Sequence, residues 1–253
     1  MTETAFEWKT HGGFGYLAFA PWLKQGFKHG FIGSQADFSD KMLEETAKEF
    51  CNIFQVRHLC LPRQVHGSGL LVVDDQHTAI SGRNSAVLLL GQADALLIPS
   101  LTSQNYPLAF GIRTADCLPM LLRSNTWLGV IHAGWRSLAA GLVQAIGRFL
   151  RSQGVVEIEL VIGPAAKQEC YEVGREVIKA LGPGAITEKR PGFELEDKYQ
   201  LSLSGTARPL IHNSWPGRVC IYDSGICTIC GSGFHSYRRD GPGAGSNLAF
   251  VVA

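Results

Sequence analysis

The sequence predicts an α+β fold in which helices cover a mixed sheet. Three observations lead there. From Leu70 to Ala133 short apolar runs alternate with turn residues, as hairpin-like strands do. The strongest helical periodicity comes only afterwards, from Leu138 to Leu150, and strands resume beyond it. No regular strand–helix alternation announces a doubly wound parallel sheet. No break in composition divides the 253 residues, so a single domain over 1–253 is expected.

In chain order, Met42, Leu43, Ala47, Phe50 and Ile53 fall at helical spacing and predict a helix over Ser39 to Phe54. Leu70–Val73, Ala95–Ile98, Leu108–Ile112, Pro119–Leu122 and Trp127–Ile131 read as strands of a largely buried sheet. Leu138, Leu142, Ile146, Phe149 and Leu150 share one helical face. Glu157 to Ile162 alternates and stops hard at Gly163-Pro164. Helices are expected over Glu172 to Leu181, ended by Gly182-Pro183, and over Lys198 to Asn213. Arg218–Tyr222 and Leu248–Val252 read as late strands.

Composition excludes several classes of function. Hydrophobic residues make up 45% and charged residues 18%, enough apolar surface for a core and too much for global disorder. A net charge of +1 gives no field that would draw the chain to nucleic acid or an anionic membrane, so neither is an expected partner. The start is polar and acidic, without the basic flank and apolar stretch of a signal peptide. The longest apolar run, Ala86 to Pro99, is interrupted by Gln92 and Asp94 and is too short to span a bilayer. A soluble cytoplasmic protein is expected, with its seven cysteines reduced and available for metal or catalysis.

Three segments gather chemically capable side chains at the ends of apolar elements. They are Arg63-Gln64-Val65-His66-Gly67, Arg113 to Pro119 with Asp116 and Cys117, and Ile131-His132-Ala133-Gly134-Trp135-Arg136. A folded sheet can bring strand ends together, so His66, Cys117 and His132 could converge. Two imidazoles and one thiolate suit zinc, and three protein ligands leave a fourth position for water or substrate. The plain alternative is that each His is hydrogen-bonded where it stands and the Cys packs as a small hydrophobe.

The motifs occur in a specific order. Gln64-Val65-His66-Gly67, Ala93-Asp94-Ala95-Leu96, Thr114 to Pro119 and His132-Ala133-Gly134-Trp135-Arg136 are followed by Ile162-Gly163-Pro164, Cys170-Tyr171-Glu172-Val173-Gly174 and Ser236 to Gly241. This order resembles the YfiH-like laccase-domain family, also called the multicopper polyphenol oxidoreductase family. The resemblance implies a single-domain α/β/β/α sandwich with mixed sheets and a zinc site at His66, Cys117 and His132. The chain departs from that pattern at His29 to Ser34, at Ser137, Ala165 and His235, and around Gly243 to Ser246.

The resemblance also implies phosphorolysis of adenosine, inosine, guanosine and methylthioadenosine, with hydrolytic deamination of adenosine. Purine nucleoside and phosphate are then the small-molecule partners. Arg136 at a helix start, with Arg63, Arg113, Arg238 and Arg239, could hold phosphate by charge-assisted bonds. Asp116 is the first candidate for proton transfer and Glu172 the second. Gln64 could orient substrate or bond backbone, and Trp135 could stack on a base or fill the core. A four-copper laccase is opposed by the histidine inventory, which is eight in all with no His-X-His. A single copper remains an alternative, since His₂Cys is also the blue-copper set and Met120 could be its axial ligand. Copper-dependent polyphenol oxidation and a metal-free Cys117–His132 hydrolase editing cell-wall precursors are the other readings. Cys227-Thr228-Ile229-Cys230 reads as packed free thiols, with a structural zinc assisted by Cys220 and His235 as the alternative. Cys170 reads as structural.

Overall fold

The computed structural model describes residues 5–74, 77, 85–100, 107–189 and 197–253. Residues 1–4, part of the start on which the leader expectation rests, lie outside the described residues. Strands and helices are numbered in chain order, the first helix, α1, being Ala20–Lys24. The larger sheet runs β1 (Phe6–His11), β2 (Phe14–Phe19), β3 (His29–Ile32), β16 (Asn247–Val252), β8 (Ala109–Thr114), β4 (Leu59–Arg63), β6 (Val87–Gln92). The second runs β15 (Arg218–Asp223), β11 (Glu157–Ile162), β9 (Leu118–Arg123), β10 (Trp127–Ala133), β7 (Ala95–Pro99), β5 (Leu70–Val72). A small third sheet joins β12 (Glu172–Gly174), β14 (Lys198–Leu201) and β13 (Thr187–Lys189). Both large sheets are mixed. β4 is parallel to β6 and β8, β5 to β7, and β11 to β15, while the remaining pairs are antiparallel.

The two large sheets pack face to face. Their shared core contains Phe19, Phe31, Phe110 and Val251 from one sheet and Leu96, Leu121, Val130 and Val161 from the other. The outer face of the larger sheet is covered by α2 (Leu43–Phe54), whose Ala47, Phe50 and Phe54 pack with Phe14, Phe38 and Phe250. The outer face of the second is covered by α3 (Trp135–Ala139), α4 (Leu142–Ser152) and α6 (Leu203–Ser214). This is the α/β/β/α sandwich. Covered on both faces, β9 and β10 are nearly continuous apolar runs, which is why they were legible as buried strands.

Several expected elements take different bounds. The helix read over Leu138 to Leu150 is two helices, because Gly141 adopts φ +85°, a left-handed conformation that glycine enters without a Cβ clash. The first three residues of the helix expected from Glu172 form β12, and only Arg175–Leu181 (α5) is helical. Likewise Lys198–Leu201 is β14, and the helix begins after Ser202, whose hydroxyl caps it by accepting from the Gly205 amide. Both corrections have one cause, since these short segments pair with each other in the third sheet and tertiary pairing overrides helical spacing.

The free-thiol reading is also corrected. Cys170 and Cys230 form a disulfide, while Cys51, Cys60, Cys117, Cys220 and Cys227 are free. Met120 lies buried in the core beneath the helices, in the company of Leu118, Leu122 and Ile162, so it offers no axial ligand to the His₂Cys group. Among the described residues, no helix is long and apolar enough to cross a membrane.

Candidate metal centre

The chain passes from the larger sheet to the second at Ala115-Asp116-Cys117, between β8 and β9. That crossing sets Cys117 at the seam of the sandwich. His132 stands near the end of β10 opposite Pro119, and His66 follows the end of β4. A nitrogen of each imidazole and the Cys117 sulfur lie within 4.8 Å of one another. The two imidazole rings meet edge to face with centroids 4.7 Å apart.

Asp94 organises this group. Its carboxylate is fully buried in the turn between β6 and β7. Oδ1 accepts from His132 Nδ1 at 2.8 Å and from the His66 amide at 3.0 Å, while Oδ2 accepts from the Gly67 amide at 2.7 Å. The His132 amide in turn donates to the Asp94 carbonyl at 2.7 Å. With Nδ1 committed to Asp94, His132 presents Nε2 to the site. A carboxylate behind a ligating imidazole fixes its orientation and strengthens it as a donor. In the sequence Asp94 appears as part of a motif and as an interruption of an apolar run, with no role assigned. The signal for it was present, since a carboxylate interrupting an apolar run must find partners when that run is buried.

Among the described residues, three non-glycine positions have positive φ, and two of them sit here, His66 at +58° and Asp116 at +95°. Such conformations persist only when their surroundings impose them. At His66 the Asp94 carboxylate gathers successive amides, and at Asp116 both carboxylate oxygens are held. Oδ1 accepts from the Thr228 hydroxyl at 2.6 Å and Oδ2 from the Arg238 amide at 2.7 Å.

Burial opposes charge on the Cys117 thiol, yet His132 and His66 outweigh it and bring its pKa down to about 6. Burial likewise opposes charge on His132, and the Cys117 thiolate and Asp94 outweigh that and raise it to about 9. Burial pushes the Asp94 carboxyl up, but the bonds from His132 and from the Gly67 and His66 amides hold it below its usual range. Between pH 6 and 9 the metal-free centre is therefore a thiolate–imidazolium pair. In metal-stripped protein, alkylation of Cys117 by iodoacetamide is expected to follow a midpoint near 6, against about 8.5 for an ordinary cysteine. Peptide mass spectrometry across pH 5 to 10 checks this, and a midpoint above 8 contradicts it.

The donor set fits a metal that accepts both nitrogen and thiolate sulfur, with three protein ligands and room for a fourth. A close approach supports the fit. Gly134 lies against the group so tightly that a Cβ on it would fall 2.9 Å from Cys117 Sγ and 3.4 Å from His66 Cδ2. Gly134→Ala is expected to push these donors apart and weaken metal binding about 10-fold or more, comparable with losing a supporting group. Competition with a chromophoric chelator measures it, and wild-type affinity in the variant contradicts it.

The centre forms the floor of a cleft of about 590 Å³, within the range of small-molecule sites. Arg113, Arg136 and Arg238 line it together with Trp135 and Tyr171. The Arg136 guanidinium lies 4.3 Å from the Trp135 ring centroid, and that of Arg238 lies 4.9 Å from the Tyr171 ring centroid. Arg113 is tied to Asp40 at 2.7 Å and to the Phe38 carbonyl at 3.0 Å. Gln64 lines the cleft with its amide engaged at both ends by the Arg113 backbone, at 2.7 and 2.8 Å. Three residues singled out from the sequence stand apart. Arg63 is exposed at the end of β4, and Glu172 pairs with Lys198 at 3.0 Å. Arg239 turns away to donate to the carbonyls of Thr228, Gly231 and Phe234. A larger cavity of about 880 Å³, lined by Gln25, Arg123, Glu159 and Arg218, has no histidine among the described residues that line it.

Comparisons with known proteins agree with this architecture. The sequence profile described as multi-copper polyphenol oxidoreductase laccase matches residues 30–253. A purine nucleoside phosphorylase of Aquifex aeolicus is 32% identical over 130 residues, covering 51% of this chain and 59% of its own length. Adenosine deaminase RL5, from an unknown prokaryotic organism, is 28% identical over 207 residues, covering 76% and 74%. The chain thus spans between 59% and 74% of the length of these two curated relatives. In three dimensions it is similar to YlmD from Geobacillus stearothermophilus, with a TM-score of 0.77, 21% identity and 98% of each chain covered.

Proposed function

The chain belongs to the multi-copper polyphenol oxidoreductase laccase family, and from the site it builds within that fold we propose that it is a zinc-dependent purine nucleoside phosphorylase with a hydrolytic activity on adenosine. The observation that carries the proposal is the convergence of His66, Cys117 and His132, backed by Asp94, beneath a cleft that presents both guanidinium groups and aromatic rings. The names of the two curated relatives support the same substrate class.

His66, Cys117 and His132 would hold the zinc. When bound, it supplies Lewis-acid polarisation at the cleft floor. Arg136 and Arg238 pair with phosphate, since a planar guanidinium can donate two parallel charge-assisted bonds to two phosphate oxygens. Trp135 and Tyr171 stand where a purine could stack. In phosphorolysis a phosphate oxygen bonds to the anomeric carbon as the bond to the purine nitrogen breaks, and a proton goes to the departing base. Asp116 holds the Cys117 crossing and the Arg238 backbone in place through its two hydrogen bonds. Its part in the proposal is therefore positioning, and Gln64 acts in the same way on Arg113.

Metal-replete protein should release free base from inosine, guanosine, adenosine and methylthioadenosine only with phosphate present, and should convert adenosine to inosine without it. Chromatographic assays with and without phosphate decide this, and no turnover of any of the four nucleosides would sink the proposal. A second reading has an observation in its favour, the thiolate–imidazolium character of Cys117 and His132. A thiol hydrolase of that kind, acting on a cell-wall precursor, keeps its activity in EDTA, whereas the metal enzyme loses activity and recovers it with zinc. Recovery with copper and turnover of a phenol would instead support oxidation.

A further inference from the structure

A second cluster of sulfur lies behind the cleft wall. The Sγ atoms of Cys170, Cys227 and Cys230 all lie within 4.8 Å of one another, and two of them are joined as the Cys170–Cys230 disulfide. Cys230 is exposed, while Cys170 and Cys227 are half-buried. The backbone beside each partly buried sulfur is anchored independently of the bond. Cys227 forms a parallel bridge to Ala165, and the Thr228 amide donates to the Ala165 carbonyl at 3.1 Å. The amides of Cys170 and Tyr171 donate to the Lys167 carbonyl at 3.0 and 2.9 Å. The chain beside Cys170 and Cys227 is therefore held near the cluster by backbone bonds as well as by the disulfide, so all three sulfurs stay within reach of one another.

A third thiol beside a disulfide is the arrangement that thiol–disulfide exchange requires, since a thiolate attacks one sulfur and displaces the other. The cluster is also linked to residues of the cleft. Cys170 precedes Tyr171, whose ring lies under the Arg238 guanidinium, and Arg238 donates to the Glu172 carbonyl at 2.8 Å. Thr228, between the other two cysteines, donates to Asp116 beside the proposed ligand Cys117. Arg239 ties the carbonyls of Thr228 and Phe234 to the short helix α7 (Tyr237–Asp240), which carries Arg238.

We propose that Cys170, Cys227 and Cys230 form a thiol–disulfide exchange site, with Cys227 attacking the Cys170–Cys230 bond, that takes a dithiol as its partner and sets the order of the cleft wall bearing Tyr171 and Arg238. In the internal step the Cys227 thiolate bonds to one sulfur of the pair and the other leaves as a thiolate, which takes up the proton Cys227 gave up. No electrons are gained or lost. An external dithiol then reduces whichever disulfide is present to two thiols, passing two electrons and two protons and becoming a disulfide itself.

The test uses the full-length, metal-loaded protein equilibrated in mixtures of oxidised and reduced dithiothreitol, quenched with acid, alkylated and mapped by mass spectrometry. A second disulfide containing Cys227 is expected at intermediate ratios. Cys227→Ser should abolish it and slow reduction by about 5-fold or more. Amide hydrogen exchange over 168–173 and 226–240 should quicken by about 5-fold or more on reduction, with the central strands unchanged. The double variant Cys227→Ser/Cys230→Ser should show the same quickening without any reductant. A single disulfide at every ratio, with Cys227→Ser reduced at the wild-type rate, overturns the exchange. Unchanged hydrogen exchange in the reduced protein and in the double variant overturns the coupling. None of these readouts depends on nucleoside turnover, so failure of the proposed function leaves them decisive.

Discussion

Wild type is expected to purify with about one metal ion per molecule, and Cys117→Ala without it and with the proposed nucleoside turnover reduced by at least about 100-fold. The substitution removes the one soft donor and leaves two imidazoles, too few to close a stable site. It also removes the larger of the two negative partners that raise the His132 pKa, so that pKa falls, with Asp94 still holding it up. The fold should tolerate the change, because Cys117 is only half-buried and packs at the floor of an open cleft. His132→Ala should lose the same metal at a greater cost in stability, since it leaves the buried Asp94 carboxylate without its side-chain partner. Elemental mass spectrometry on wild type and both variants, with thermal melts alongside, reads the result. Stoichiometric metal in Cys117→Ala would remove the His₂Cys assignment.

Asp94→Asn should have the next largest effect. The carboxylate accepts from one imidazole and from the His66 and Gly67 amides, all donors. An asparagine offers one acceptor and turns an NH₂ toward groups that also donate. The cost is about 2–4 kcal/mol for the unsatisfied buried groups, which lowers the melting temperature by about 5–15 °C for a chain of this size. Loss of its hold on His132 should weaken metal binding by about 10–100-fold. Chelator competition at a temperature where both proteins are folded separates that effect from simple instability. The pH dependence follows from the direction of the shift. Because the folded-state pKa of Asp94 is depressed, its contribution is complete above the unfolded value, about 3.9, and is lost as pH falls through the lower folded value. Wild type should lose its advantage over Asp94→Asn in acid denaturation below about pH 4. A constant difference from pH 2 to 7 contradicts this.

The contrast between what the sequence disclosed and what it withheld follows physical lines. Strands buried on both faces, such as Leu118–Arg123 and Trp127–Ala133, announce themselves as apolar runs bounded by turns. Phe6–His11 does not, because it is an edge strand with mostly exposed side chains. Leu59–Arg63 is disguised by Pro62, a residue unusual inside a sheet. His66, Cys117 and His132 were recognisable as donors from their chemistry and their motifs. Their convergence depends on a chain crossing between two sheets, which no local spacing encodes. Asp94 was visible as a misplaced charge but not as the partner of His132. The Cys170–Cys230 pair was hidden because pairing is a tertiary fact, and a reduced compartment was the simpler expectation.

The placement of the proposed ligands at the seam bears on how the holoprotein is made. His66 follows a strand of the larger sheet, His132 belongs to the second, and Cys117 lies on the segment that joins them. An unfolded chain holds these donors far apart, so it has no site with which to compete for the ion. Capture must wait until the sandwich has closed. Binding free energy then accrues wholly to the native state and rises with the logarithm of free metal. Because the core between the sheets ties the two layers together, metal starvation should lower the stability of the sandwich as a whole, read as a fall in melting temperature on adding a chelator.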